Sequence, residues 1–309
     1  MSPNQPTPAD PVPWPPDQTP ADLKGLAQAL SHLRVSSSAT PAHYQRITSL
    51  VETAPRKITA TRLATAGFLD GVQARSVLAR NEHRDLTLTW VAAGTVHNRA
   101  LTSFEQRLAV VCSARDVGLV RNAGAVPIVE LREIHPSNLA LATDAWIDQT
   151  RQKLEAQVLA STPCPPGQVV VVDGSLPPGC GRDDAIGIVK SALDTTWISD
   201  PALFPAIGGW RSPALRLSAL CQGESDRLTA FVRLRTATGA HPWGFSLIRV
   251  ETFDNAGGID FLDAACALAV SQAQHLGSAD PRAECQPAGM YQTELCLKAQ
   301  IPLALRVLR

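Results

Sequence analysis

The chain has 309 residues, of which 45% are hydrophobic, and its 28 basic residues balance its 28 acidic residues. This composition is typical of a globular protein with a substantial core, and a zero net charge argues against binding nucleic acid through bulk charge alone. No apolar run approaches the roughly 18 residues that a membrane span needs. The start of the chain lacks a secretory signal pattern, so we expect a cytoplasmic protein that contacts no membrane.

Three segments are predicted along the chain. Residues 1–21 are rich in proline and predict an extended, disordered arm. Residues 22–60 are predicted to be a short helical segment, with helices over Ala21–Leu33 and Pro41–Glu52. Residues 61–309 then form the main domain. The seven cysteines are scattered without a Cys-x-x-Cys pair, so they indicate neither a zinc site nor a disulfide framework.

The main domain begins with strands and continues with a helix and further strands. Gly67–Ala79 and Asp85–Val96 predict a hairpin around residues 81–83. Apolar residues at helical spacing after Pro136 predict a helix that ends at Pro163. The other predicted strands are Leu108–Ser113, Val126–Leu131, Gln168–Val172, Ala185–Val189, Leu215–Leu220, Thr229–Thr236 and Phe245–Phe253, and the other predicted helices are Ile259–Leu276 and Met290–Ala299.

Two Asp-Gly pairs, Asp70-Gly71 and Asp173-Gly174, each follow an apolar run. A carboxylate at the end of a buried strand needs a partner, because desolvation of an unpaired charge is costly. The glycine after each aspartate allows a sharp turn and the close approach of a ligand. Two such aspartates on two strands of one sheet predict a site for divalent metal ions, and their oxygen atoms favour Mg²⁺ or Mn²⁺ over Zn²⁺.

Three glutamates are candidates for a further ligand. Glu155 lies beside the apolar stripe of the helix that precedes Asp173, where its side chain either points toward the aspartates or is solvated. Glu130, in a predicted third strand, is a rival, and Glu294 on the last predicted helix is another candidate. The order of strands and helices resembles the ribonuclease H-like fold, an α/β fold with a mixed sheet flanked by helices. In that fold Asp70 and Asp173 would lie on adjacent parallel strands.

Several short motifs resemble those of the NurA nuclease family. Phe68–Gln73 is similar to the first motif of that family, Val170–Leu176 to its Asp-Gly-Ser motif, and Ala185–Ser191 to the short strand with a lysine that follows. Gly244–Glu251 and Asp280–Ala283 resemble two further motifs of a bacterial branch. The resemblance covers roughly residues 60–309.

The resemblance implies a manganese-dependent DNA nuclease with a ribonuclease H-like (PIWI/NurA-like) core. Such a nuclease trims DNA ends and cuts single strands as a homodimer docked to a hexameric HerA-type ATPase translocase, in DNA end processing or antiviral defence. By motif, Asp70 and Asp173 match the metal-binding aspartates and Glu155 matches the helical glutamate. Glu294 falls in the closing catalytic segment of the family.

Basic residues supply candidate contacts to DNA. Arg233 and Arg235 alternate with apolar residues on a predicted strand, so both would point into one channel or onto a solvated sheet face. Lys190 follows a strand near the second aspartate, where an ammonium group could hold the scissile phosphate or the leaving oxygen. Arg249 and Arg282 are weaker candidates of the same kind.

Two other functions stay open at the level of sequence. The chain departs from the bacterial motifs at residues 223–227 and 284–286. The departures in the closing motif favour a catalytically weak or inactive adaptor on a translocase ring. A metal-dependent phosphatase on the same fold is the third reading, because a fold does not fix a function.

Overall fold

A large mixed sheet runs through the protein and carries helices on its faces. The computed structural model describes residues 47–59, 63–81, 84–121, 127–131, 138–180, 182–190, 203–205, 207–219, 226–236, 245–273, 287–302 and 305–306. All of these residues fall within one compact unit, His43–Arg309. The chain is therefore a mixed α/β protein over the part that the structure describes.

The described residues form a sheet of 12 strands. These are β1 (Ile47–Leu50), β2 (Arg56–Lys57), β3 (Ala64–Asn81), β4 (Arg84–His97), β5 (Ala100–Ser113), β6 (Ile128–Leu131), β7 (Gln168–Asp173), β8 (Ala185–Val189), β9 (Trp210–Arg211), β10 (Leu215–Leu217), β11 (Arg227–Arg233) and β12 (Leu247–Phe253). The main path runs β1-β10-β11-β12-β8-β7-β3-β4-β5-β6, while β9 pairs with β11 and β2.

The centre of the sheet is parallel and its flanks are antiparallel. The strands β3, β7 and β8 run parallel to one another, whereas β4 pairs antiparallel with β3 and β12 pairs antiparallel with β8. The strand β3 pairs with β7 only from Ala64 to Leu69 and then continues to Asn81 beside β4. Beyond Leu69, β7 no longer covers this edge of β3.

The described helices are α1 (Val117–Arg121), α2 (Leu139–Ser161), α3 (Gly258–Ser271) and α4 (Ala288–Lys298). Residues of α2 pack against one face of the central strands, where Leu69 and Val172 share a buried cluster with Leu154. On the other face, Phe68 and Val171 share a cluster with Met290 of α4 and with residues of α3. Strand alternation therefore separates two cores. No helix in the described part of the chain is long and apolar enough to cross a lipid bilayer.

Most predicted elements of the main domain are confirmed, with shifted ends. The predicted hairpin is β3 and β4, the buried run is β7, and the predicted long helix is α2. The strand β5 begins at Ala100, earlier than the predicted Leu108, and its first half is largely exposed. The helix α3 ends at Ser271, short of the predicted Leu276.

The predicted helix Pro41–Glu52 is wrong over Ile47–Leu50, which form strand β1. Pairing with β10 outweighs the local preference, because a backbone edge is available there. The strand β2 also joins the sheet through β9, so both strands found within the described residues of the predicted helical segment 22–60 belong to the main sheet. The predicted arm (1–21) and the helix Ala21–Leu33 lie outside the described residues.

Candidate metal centre

The two aspartates of the Asp-Gly pairs lie side by side at the end of the parallel strand pair. Leu69 pairs with Val172, so Asp70 and Asp173 occupy the next positions on the two strands. Alternation places both carboxylates on the sheet face of Phe68 and Val171. Asp70 is 8% exposed, and the side chain of Asp173 is 12% exposed. Asp70 and Asp173 therefore lie on adjacent parallel strands, as the resemblance to the ribonuclease H-like fold predicted.

Burial and mutual repulsion disfavour the charged forms of these aspartates. Burial, followed by the neighbouring charge of Asp173, raises the pKa of Asp70 to about 8. The backbone N–H of Gly71 donates to Asp70 Oδ1 at 2.7 Å and opposes that rise. Burial also raises the pKa of Asp173, although Lys190 Nζ lies 2.5 Å from its Oδ2 and lowers it. The folded environment therefore favours the protonated form of Asp70 in the absence of a cation.

Glu155 approaches the sheet from α2, on the face opposite to Phe68 and Val171, through the space that Gly71 leaves open. After burial and the charge of Asp173, its charge is a further influence that raises the pKa of Asp70. A Cβ on Gly71 would collide with Glu155 Oε1 and with the side chain of Arg151. Gly71 lies inside β3 and makes no turn. The group that approaches it closely is the carboxylate of Glu155 and not a bound ligand. The turn that the sequence predicted is instead found at Gly174, whose φ is +114°.

Glu155 is paired with a residue that the sequence analysis did not single out. Arg151 Nη1 lies 2.6 Å from Glu155 Oε1, one helical turn away. Burial raises the pKa of Glu155 to about 7, against the opposing charge of Arg151. The signal was present as an Arg-Glu pair at i, i+4 on a predicted helix, a spacing that usually marks a surface pair. Burial distinguishes this one, because Glu155 is only 6% exposed.

Of the other two glutamates, one lies near the aspartates and one does not. Burial is the main cause that raises the pKa of Asp173, and the negative charge of Glu294 on α4 raises it further. The carboxylate of Glu294 itself lies 2.6 Å from Lys298 Nζ. Glu130 lies on the exposed face of β6, and β4 and β5 separate that strand from β3. The structure therefore brings Glu294 near the aspartates and leaves Glu130 away from them.

The predicted arginine channel is not formed. Arg233 is 3% exposed, and its guanidinium donates to the carbonyl oxygens of Pro205 and Phe245. The strand β11 ends at Arg233, so the alternation does not continue to the half-buried Arg235. Arg249 is buried and paired with Glu251, and Arg282 lies outside the described residues. Lys190 is the one predicted basic residue that the described structure places against the aspartates.

A cleft of about 480 Å³ lies between β3 and α2. Its lining includes Gln73 and Arg75 of β3 and Asp144 and Asp148 of α2. Gln73 lies two residues beyond Gly71, and Asp148 lies three residues before Arg151. None of Asp70, Glu155 and Asp173 is among the lining residues, and the lining is more acidic than basic.

The donor chemistry of the site fits a hard divalent cation. Oxygen ligands are what Mg²⁺ and Mn²⁺ prefer, and a cation would relieve the repulsion between Asp70 and Asp173. Within the part of the chain that the structure describes, however, no three Asp, Glu, His or Cys side chains are grouped to hold one ion. Asp70 and Asp173 are thus adjacent, Glu155 approaches from the other face of the sheet, and the three do not form a closed ligand cage.

Comparisons with known proteins give little further information. No family model matches the chain, and no curated protein sequence is similar to it. Among solved structures, the NurA nuclease from Sulfolobus solfataricus is similar at 10% identity and a TM-score of 0.38, over 90% of this chain and 92% of that one. A likeness of this size establishes neither family membership nor function.

Proposed function

We propose that the chain is a metal-dependent DNA nuclease that hydrolyses phosphodiester bonds. The observation that carries this proposal is the pair of buried aspartates, Asp70 and Asp173, at the ends of adjacent parallel strands. Burial and repulsion raise the pKa of each, and basic side chains lie beside them. A pair of carboxylates that is costly to bury is retained in proteins chiefly where it binds a cation or does chemistry.

Each residue of the site has a distinct part in this proposal. Asp70 and Asp173 would hold Mn²⁺ or Mg²⁺, and Glu155 would join them after parting from Arg151. A bound ion of this type supplies Lewis acidity for attack on a phosphodiester. Lys190 donates hydrogen bonds from its ammonium group and would hold a phosphate oxygen near the aspartates. Glu294 would complete the negative rim of the site from α4.

Arg151 adds a second donor to this site. Its guanidinium has the planar geometry that suits a phosphate, and it is 29% exposed while bound to Glu155. A substrate phosphate could therefore take over the guanidinium while a cation takes over the carboxylate. This exchange keeps every charged group paired.

The finer features of the proposal rest on the motif resemblance to the NurA family. They are a ribonuclease H-like core, Mn²⁺ as the preferred ion, a homodimer, and docking to a HerA-type hexameric translocase in the cytoplasm. The zero net charge supports a partner of this kind, because a translocase can deliver DNA to a nuclease whose own charge does not attract it.

A second candidate function is an inactive adaptor on a translocase ring. Two observations favour it: Lys190 and Arg151 already pair with Asp173 and Glu155, and the described residues contain no group of three metal ligands. An adaptor of this kind would keep the fold and the internal ion pairs without binding Mn²⁺.

Cleavage of end-labelled single- and double-stranded DNA with Mn²⁺, with and without EDTA, tests the proposal. The wild type is compared with Asp70→Ala and Asp173→Ala, and with Glu105→Gln, which changes an exposed carboxylate on β5. We expect Mn²⁺-dependent cutting that both alanine variants lose and Glu105→Gln keeps. Cutting retained in both alanine variants would exclude the assigned site, and a wild type without any Mn²⁺ response would favour the adaptor.

A further inference from the structure

A buried ion network lies directly beneath the turn that follows Asp173. At its centre is Glu251 on β12, which is fully buried. Arg249 Nη1 lies 2.6 Å from Glu251 Oε1, and Arg227 Nη1 lies 3.7 Å from Oε2. Two arginines and one carboxylate without solvent are expensive to bury, so the arrangement needs a reason beyond filling space.

The network binds the turn through its backbone and its serine. Leu176 N–H donates to Glu251 Oε2 at 3.1 Å, and Ser175 Oγ donates to Oε1 at 3.3 Å. Arg249 Nη2 donates to Ser175 Oγ at 3.0 Å, and Arg227 Nη1 donates to the Leu176 carbonyl at 2.6 Å. Both residues that follow Gly174 are therefore held by charged groups from β11 and β12.

The strand β8 fixes the other side of the same turn. Gly174 N–H donates to the carbonyl of Ile188 at 2.8 Å. A Cβ on Gly187 would come within 2.8 Å of the Gly174 carbonyl and within 3.3 Å of Glu251 Oε2. The absence of a side chain at Gly187 lets the turn lie directly on β8 and over the carboxylate of Glu251.

We propose that Glu251 is a positioning residue, which fixes the turn after β7 and through it the carboxylate of Asp173. This inference rests on the proposed metal site and adds a residue to it. Glu251 is fully buried and both of its oxygens are engaged by the arginines and the turn, so we place it behind the turn and not among the ligands. The same contacts reassign Arg249, because its guanidinium is committed to Glu251 and Ser175 and not to DNA.

The test compares Glu251→Gln with a chemically matched control, Glu52→Gln. Glu52 also pairs with a fully buried arginine, Arg211, and also accepts a backbone N–H, that of Ala214 at 3.0 Å. Its partners lie on β9 and its neighbouring segments and not on the turn after β7. Both variants therefore lose the same kind of charge from the same kind of network, and only one of them touches the turn.

Two readouts separate positioning from general stability. The first is hydrogen–deuterium exchange of the peptide that contains Leu176, measured without added metal. The second is the Mn²⁺ concentration that gives half of the thermal shift. We expect faster exchange at the turn in Glu251→Gln and a half-saturating Mn²⁺ concentration about tenfold to hundredfold higher. Glu52→Gln should lower the melting temperature while keeping the exchange of the turn and the Mn²⁺ response of the wild type.

Ser175→Ala keeps the test decisive if Glu251→Gln does not fold. Ser175 is exposed, so its loss spares the core, yet it removes the hydroxyl that joins Arg249 and Glu251 to the turn. A smaller shift in the same direction supports the proposal. Wild-type exchange and wild-type Mn²⁺ response in a folded Glu251→Gln, or in Ser175→Ala when the first variant is unfolded, would overturn it. A wild type without Mn²⁺ response would instead remove the proposed function, while the exchange data still decide whether Glu251 holds the turn.

Discussion

The carboxylate of Glu155 occupies the space beside Gly71 that a Cβ atom would need. The two residues belong to different elements, α2 and β3, and their contact lets a buried glutamate approach the edge of the sheet next to Asp70. A glycine in the middle of a strand lowers the stability of the strand. Gly71 therefore allows Glu155 to approach at a cost in the stability of β3.

Gly71→Ala should therefore displace Glu155 and destabilise the protein by about 1–3 kcal/mol, the usual cost of overpacking. Thermal unfolding measures the stability, and the Mn²⁺-induced shift in melting temperature measures the site. Gly118→Ala is the matched control, since Gly118 lies in α1 with open space around it. That change should raise stability by about 0.5–1 kcal/mol. Equal behaviour of the two variants would contradict the role of Gly71.

The raised pKa values of Asp70 and Glu155 predict how stability depends on pH. Both groups bind protons more tightly in the folded state than in the unfolded chain, so the unfolding free energy should fall as pH rises from about 5 to about 8 in the presence of EDTA. Denaturant unfolding across this range measures the slope, and Asp70→Asn should reduce it.

Asp184 supplies the control for this pH dependence. Its pKa is lowered, chiefly by hydrogen bonds from Arg182, so its stabilisation is lost only as pH falls below the ordinary range of a carboxylate. Asp184→Asn should accordingly leave the slope between pH 5 and pH 8 unchanged. A slope that Asp70→Asn does not alter would mean that the raised pKa of Asp70 is not expressed in the folded protein.

Lys190→Gln should lower the rate of DNA cleavage by about 100-fold to 1000-fold, because it removes a preorganised donor from the reacting phosphate. Steady-state cleavage kinetics measure the change in kcat. Lys57→Gln is the control, because it removes the charge of an exposed lysine on β2. Its effect on stability should stay within about 0.5 kcal/mol, and its effect on kcat should be small. Similar losses of kcat in both variants would count against a specific role for Lys190.

Arg233→Gln should destabilise the fold without weakening DNA binding specifically. Its guanidinium donates to two backbone carbonyls, and the loss of hydrogen bonds from a buried charged donor costs about 1.5–3 kcal/mol. The salt dependence of DNA affinity, measured at a temperature where the variant is folded, should keep its wild-type slope. A slope reduced by about one unit would show instead that Arg233 contacts a phosphate.

The fold was predictable where a pattern follows from burial alone. The continuous apolar run Val169–Val172 indicated a strand covered on both faces, and the stripe that contains Ile147 and Leu154 indicated α2. The first half of β5 was missed because its exposed residues show no apolar alternation. Ile47–Leu50 form a strand only because β10 offers an edge, which is information that lies far away in the sequence.

The residues of the site were likewise predictable only where the local sequence pattern is unusual. Asp70 and Asp173 stood out because a carboxylate after an apolar run is unusual. Arg151 was missed because its spacing from Glu155 is also that of ordinary surface pairs. Arg233 was misplaced because alternation shows which side chains share a face without showing whether other segments cover that face. Glu251 appeared only within a motif, although a glutamate two residues after an arginine in an apolar strand indicates a buried charge pair.

The parallel pairing of β3 with β7 also bears on how the protein acquires its activity. Between the two strands the chain forms β4, β5, α1, β6 and α2, so a long loop must close before Leu69 meets Val172. Contacts between residues so distant in sequence form slowly, because chain entropy opposes them until late in folding. A polypeptide released before β7 holds one of the two aspartates and cannot assemble their site. Under the proposed function, DNA cleavage would thus begin only after synthesis has passed Asp173 and the sheet has closed.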